Sequence, residues 1–161
     1  MRREIPHGYS EIVEFFGDPH FASGSVDSRW ERASMILVRD LPGVPKLYCH
    51  RLIVEPLREA LTESQKLGYR PTTIGCFAPR AKRGSSQLSL HTFGAAVDLD
   101  AESNPFVLNC PIGDPRRAAW RERPDRLPDA VIDAFVADGW TWGGDFRSHF
   151  DPMHFQWATG Y

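Results

Sequence analysis

Two stretches far apart in the chain carry the residues whose geometry is most exacting. They are Ser89-Leu90-His91-Thr92-Phe93-Gly94-Ala95-Ala96-Val97-Asp98 and Asp151-Pro152-Met153-His154. His91, Asp98 and His154 offer two imidazoles and one carboxylate. That set suits one zinc ion and leaves a fourth tetrahedral position open for water, as a hydrolase needs and a closed structural site lacks. No single helical turn or simple strand pair brings His91 to Asp98. His91 must therefore come from a turn or short helix entering the strand that carries Asp98. Gly94 stands where the backbone has to bend tightly, and Ala95 and Ala96 leave room beside a metal. Asp100 shares a face with Asp98 on an extended strand and is the alternative ligand if the register differs.

The second stretch adds a possible acid/base group. In a straight strand Asp151 and His154 would point to opposite faces. Pro152 disfavours a helical Asp151 and cannot donate to a ladder, so a turn at Asp151-Pro152 can bring the carboxylate round to the His154 side. A carboxylate there could take a proton from water whose pKa zinc lowers to about 7. Gly143-Gly144 marks a tight turn before this loop.

Local signals predict an α+β chain. Ser10 is read as the cap of a short helix to Phe16, and segment 20–30 as loop. Residues 34–38 read as a strand ended by Leu41-Pro42-Gly43. A helix is predicted over about 50–67, starting or kinking at Pro56 and capped by Gly68. Residues 72–77 and 95–99 read as strands. The Pro- and Arg-rich stretch 101–126 reads as a surface excursion near the site. Residues 128–138 read as a helix with Pro128 in its first turn, and 140–142 and 155–157 as the last strands. Strands separated by helices without strict alternation predict a largely antiparallel central sheet flanked by helices.

At 161 residues the chain is long enough for one complete core, and 1–161 is read as a single domain. A formal net charge of -2 gives no electrostatic footprint for nucleic acid or an anionic membrane. No apolar run approaches the roughly 20 residues that span a bilayer. Met1-Arg2-Arg3 has no apolar stretch behind it, so no secretory signal is expected. Three cysteines without a C-x-x-C pair are expected to be reduced, mostly buried thiols.

Ser89-x-His91-x-x-Gly94-x-Ala96-x-Asp98, followed by Trp142-Gly143-Gly144-Asp145-Phe146 and Asp151-x-x-His154-Phe155, resembles the D-alanyl-D-alanine carboxypeptidase and L-alanyl-D-glutamate endopeptidase family of zinc peptidases. It looks most like that family's short endolysin-like branch. The likeness is strongest over roughly residues 75–157, and the first 45 residues carry little of it. It implies the D,D-peptidase/hedgehog fold, zinc on His91, Asp98 and His154, and Asp151 as general base. The family also uses an upstream arginine on the scissile carbonyl. Arg80 is the best match and Arg83 the reserve, with a sound chemical reason: a fixed guanidinium supplies charge where the oxyanion develops.

Ser89, Arg83, His149 and Trp142 are further candidates for substrate contact. Against that, Ser89 could simply cap a turn, His149 be an exposed loop residue, and Trp140, Trp142 and Trp157 pack in the core. The base is Asp where the vancomycin-resistance dipeptidases of the family have Glu, so the turn geometry matters more. The resemblance implies an enzyme acting on peptidoglycan stem peptides, at L-Ala–D-Glu or at a bond ending in D-Ala, and a monomer is expected. A short chain without a signal favours the endopeptidase. Its expected place of action is the cell wall, after cytoplasmic synthesis and release or export. The alternatives are a non-catalytic zinc domain that binds a protein or wall ligand, as in hedgehog signalling domains, and a cytoplasmic muropeptide-recycling peptidase.

Overall fold

The stretches that carry His91, Asp98 and His154 meet because they lead into neighbouring strands. In the computed structural model, which describes residues 4–83 and 85–161, β4 (Ala96–Leu99) lies antiparallel to β6 (His154–Gln156). β3 (Ile74–Gly75) pairs with the other edge of β4, and β5 (Thr141–Trp142) with the other edge of β6. The four-stranded order is β3-β4-β6-β5, and every pairing is antiparallel. Residues 1–3, which bear on the expected lack of a signal, and Gly84 of the loop after Arg80 lie outside the described residues.

The register fixes both faces of this sheet. Asp98 stands opposite His154, and Ala96 opposite Gln156. Side chains alternate along a strand, so these four share one face. Val97, Leu99 and Phe155 take the other face and are fully buried, with the Phe155 ring 4.4 Å from that of Phe135. Phe135 belongs to α5 (Asp129–Ala137), which packs against α3 (Val54–Lys66). One face of the sheet therefore makes the core and leaves the other for polar side chains.

A separate antiparallel pair, β1 (Met35–Val38) and β2 (Leu47–His50), carries the N-terminal part of the chain. It joins the site through Gly94, whose carbonyl accepts from the His50 N–H at 2.9 Å. Gly94 has φ 62°, and a Cβ there would sit 2.5 Å from Met35 Cε and 2.8 Å from His50 N. Only glycine fits both the backbone and the space.

Several local expectations change. The first helix, α1 (Gly8–Phe16), begins before Ser10, and His7 occupies the cap position with its N–H donating to Glu11 Oε2. Segment 20–30 is not all loop: α2 (Ser28–Ser34) starts there, because Asp27 accepts from the Arg29 and Trp30 N–H groups. The predicted helix over 50–67 gives up its start to β2 and a single 3-10 turn, Arg51–Ile53. Pro56 falls in the first turn of α3, where its missing N–H costs nothing. Pro128 caps α5 instead of entering it. The stretch 101–126 contains α4 (Pro115–Arg121) and buries Asn104, Cys110 and Trp120. All three cysteines are free and buried, as expected.

Candidate active site

His91 sits in the turn that enters β4. The turn closes on itself through Thr92 N–H to the Ser89 carbonyl, Gly94 N–H to the His91 carbonyl and Ala95 N–H to the Leu90 carbonyl. Ser89 Oγ accepts from the His91 N–H at 3.3 Å, so this side chain caps the turn beneath the ligand while also lining the adjoining cavity.

His91 Nε2, Asp98 Oδ1 and His154 Nδ1 form a near-equilateral triangle with edges of 3.1, 3.2 and 3.0 Å. Three corners of a tetrahedron with ligand bonds of about 2.0–2.1 Å stand roughly 3.3 Å apart. The tautomers confirm what this triangle lacks. His91 Nδ1 lies 2.6 Å from the Cys76 carbonyl. A carbonyl only accepts, so the proton is on Nδ1 and Nε2 presents a lone pair. His154 Nε2 faces Gln156 Oε1 at 3.1 Å, and the Gln156 amide nitrogen donates to the main-chain oxygen of Tyr161 at 3.3 Å. That fixes Oε1 towards His154, the proton on its Nε2, and a lone pair on Nδ1. Two imidazole lone pairs and a carboxylate oxygen thus converge with no donor among them. The group could hold a metal ion, and its two outer hydrogen bonds are those that orient ligand histidines.

Electrostatics say the same. Burial would raise the Asp98 carboxyl, but whenever the imidazoles take up a second proton on their inner nitrogens, hydrogen bonds from His154 and then His91 hold it well below the usual carboxylate range. Burial would lower His154, yet the Asp98 bond and the charges of Asp98 and Asp151 raise it. Both shifts express the attraction between a buried carboxylate and the imidazoles held against it.

Asp151 is brought there by the expected turn: the His154 N–H donates to the Asp151 carbonyl at 3.1 Å. Its Oδ1 is buried without a hydrogen-bond partner. Burial raises its pKa, Asp98 adds to the rise, and the charges of His154, His91 and Arg80 oppose it. Gly143 allows the turn to come this close. A Cβ at Gly143 would lie 2.5 Å from the Asp151 carbonyl oxygen and 3.0 Å from His154 Cβ.

A cavity of about 600 Å³ opens beside the triangle. Asp98, Asp151, Arg80 and Arg83 line it, as do Ser89 and His149. Arg80 and Arg83 part company within it. The Arg80 charge is felt at Asp151, whereas the Arg83 guanidinium rests 4.7 Å from the Phe106 ring centroid. His149 is half-buried rather than exposed, between Phe106 and Phe146, and burial lowers its pKa first, with Lys82 adding to the fall. Trp142, considered for a peptide groove, does not line the cavity. It is buried against Trp120 and Phe150 and donates to the Pro152 carbonyl, so it packs under the loop that carries Asp151. Trp140 and Trp157 pack on each other in the core. Asp100 is no ligand either. Its backbone turns to φ 44°, and its carboxylate accepts from Tyr69 Oη and the Thr72 and Thr73 N–H groups.

Three positioning residues escape the sequence reading. Gln156 is one. Thr92 is another: its Oγ1 accepts from the Arg80 N–H at 2.8 Å and donates to the Arg80 carbonyl at 2.7 Å. Arg117 is the third. Its guanidinium donates to the carbonyls of Cys110, Gly144, Phe146 and His149, pinning the loop that leads to Asp151. A polar residue between apolar neighbours, as in Phe155-Gln156-Trp157, was the available signal for Gln156. Arg117 offers none, because its acceptors are main-chain atoms of a distant loop.

A group that could hold a metal, set beside a buried carboxylate with an unpartnered oxygen and a nearby guanidinium, is the arrangement of a metal-dependent hydrolase. Comparison with known families gives that class a closer description. Residues 83–157 match the family model of D-alanyl-D-alanine carboxypeptidase, a zinc-dependent peptidase family. The matched segment holds all three residues of the triangle and Asp151, and begins after Arg80. It supports the family resemblance read from the motifs and a peptidase activity. No solved structure matches the chain.

Proposed function

We propose that this protein is a zinc peptidase that hydrolyses a bond in peptidoglycan stem peptides, either L-Ala–D-Glu or one ending in D-Ala. The observation that carries the reading is the convergence of His91 Nε2, His154 Nδ1 and Asp98 Oδ1 within 3.0–3.2 Å, with both histidine tautomers fixed from behind. Those three residues would hold one zinc ion. Bound zinc supplies Lewis acidity, which polarises a carbonyl and makes water a nucleophile near neutral pH.

The chain's own groups do the rest. Asp151 takes the proton of the attacking water and returns it to the leaving amine; a carboxyl raised by burial suits both halves of that task. Arg80 donates to the oxygen of the scissile carbonyl as negative charge grows there. The wall substrate places the site of action at the cell wall, reached after release or export. Stem peptides are the expected partner, and the chain acts as a monomer.

Digestion of purified peptidoglycan with and without a chelator, followed by mass analysis of new termini, tests the reading. A new D-Glu amine identifies the endopeptidase and released D-Ala the carboxypeptidase; no chelator-sensitive product refutes both. Asp151→Asn should keep zinc and lose turnover, and unchanged hydrolysis would refute the base assignment.

A further inference from the structure

The cavity carries more positive charge than the chain's net charge of -2 leads one to expect. Arg80, Lys82 and Arg83 reach it from one loop and Arg147 from another. Among the described residues none of these four pairs with a carboxylate, whereas Arg58, Arg116, Arg121, Arg123 and Arg126 all do. The cavity's own acids are otherwise engaged: Asp98 with the two histidines, and Asp151 in the field of Arg80.

Lys82 and Arg83 are also held in an unusual way. Lys82 Nζ stands 3.7 Å from the Tyr161 ring centroid, and the Arg83 guanidinium stacks on Phe106. An aromatic face attracts a cation through its quadrupole and consumes none of its N–H donors. Both aromatics line the same cavity, and Tyr161 is itself fixed by its hydroxyl on the Leu88 carbonyl and by stacking on Tyr9. Among the described residues neither side chain donates a hydrogen bond, so the result is two positioned cations with donors to offer, Lys82 half-buried. A partly desolvated ammonium and a forked guanidinium lining one cavity match a carboxylate in charge and hydrogen-bonding chemistry.

We propose that Lys82 and Arg83 form the subsite that holds the substrate's free carboxylate on the leaving side of the scissile bond. The inference rests on reading this cavity as the substrate site, and adds the residues that recognise the carboxylate.

The test compares a stem peptide with free carboxylates against its counterpart with those groups converted to primary amides. Turnover is measured on the zinc-loaded wild type, and binding by calorimetry on zinc-loaded Asp151→Asn. The acidic peptide should show kcat/KM and affinity higher by about tenfold or more. The double variant Lys82→Met/Arg83→Met should lose that preference, and the charge-keeping pair Lys82→Arg/Arg83→Lys should recover much of it. Equal hydrolysis of both peptides by the wild type overturns the subsite and leaves the peptidase intact. Preferential binding of the acidic peptide with no hydrolysis of either upholds the subsite and overturns the peptidase. A preference that survives the double methionine variant overturns the assignment to these two residues.

Discussion

Gln156→Leu tests whether the site depends on a fixed histidine tautomer. In the native chain Gln156 Oε1 accepts from His154 Nε2–H at 3.1 Å and so keeps the proton away from Nδ1. Leucine is close in volume and cannot accept. The buried Nε2–H then loses its partner, a desolvation penalty of about 1–3 kcal/mol. The ring escapes that penalty by moving its proton to Nδ1, where it points at Asp98 Oδ1, 3.0 Å away. A protonated Nδ1 cannot bind a metal, so zinc must displace that proton before it binds. Outer-sphere partners of ligand histidines are worth about 10–100-fold in metal affinity, or roughly 1.4–2.7 kcal/mol. Chelator competition should show zinc affinity falling by that factor. In the metal-free protein, nitrogen-15 NMR of the imidazoles should show the His154 proton moving from Nε2 to Nδ1. Gln156→Glu, which retains an acceptor, should keep the native tautomer and most of the affinity. A Gln156→Leu protein with native zinc affinity and an unchanged tautomer would refute the reasoning, whatever its stability.

Arg117→Met removes the donor that holds four carbonyls and should cost about 2–4 kcal/mol in urea unfolding; Arg117→Lys should restore little, because an ammonium cannot reproduce the fork. Thr92→Val keeps the shape but frees the Arg80 backbone, so kcat/KM should fall by about tenfold while zinc affinity in the same chelator assay stays native. His50 is buried with Nε2–H on the Phe16 carbonyl and Nδ1 accepting from the Leu52 N–H, and burial lowers its pKa to about 4, with Arg51 adding to the fall and the Phe16 bond opposing it. The folded chain keeps this ring neutral while the unfolded chain protonates it below about 6.5, so its stabilisation is complete above that pH and is lost as pH falls towards 4. Urea unfolding at pH 7 and near pH 4 should show about 3 kcal/mol more acid loss in the wild type than in His50→Asn; equal losses would refute the assignment.

Much of the secondary structure was legible because its causes are local. The apolar spacing of Val131, Ile132 and Phe135 places α5, and the alternation in Ala96-Val97-Asp98-Leu99 places β4. Where a second local interaction competed, the reading slipped. His7 with Glu11 supplied the helix start in place of Ser10, and Asp27 capped a helix inside a Ser- and Gly-rich stretch. Asp100 was misplaced for a similar reason. Alternation puts it beside Asp98 only while the backbone stays extended, and the N–H groups of Thr72 and Thr73 pull it out of the strand.

For the site, the sequence by itself determined the chemical kinds: two imidazoles and a carboxylate with metal-ligand character, a second acid on a proline turn, and an arginine upstream. Tertiary structure decided how they meet. The β4–β6 register sets Asp98 across from His154, while alternation along β6 itself puts Gln156 on the same face as the imidazole. Arg117 ties a distant helix to the loop that carries Asp151, and Tyr161 and Phe106 position the two loop cations of the proposed subsite. Apart from Gln156 and His154, two residues apart on β6, these contacts join residues far apart in the chain. Local pattern cannot specify them, because they depend on which face of the sheet the burial of Val97, Leu99 and Phe155 leaves for chemistry.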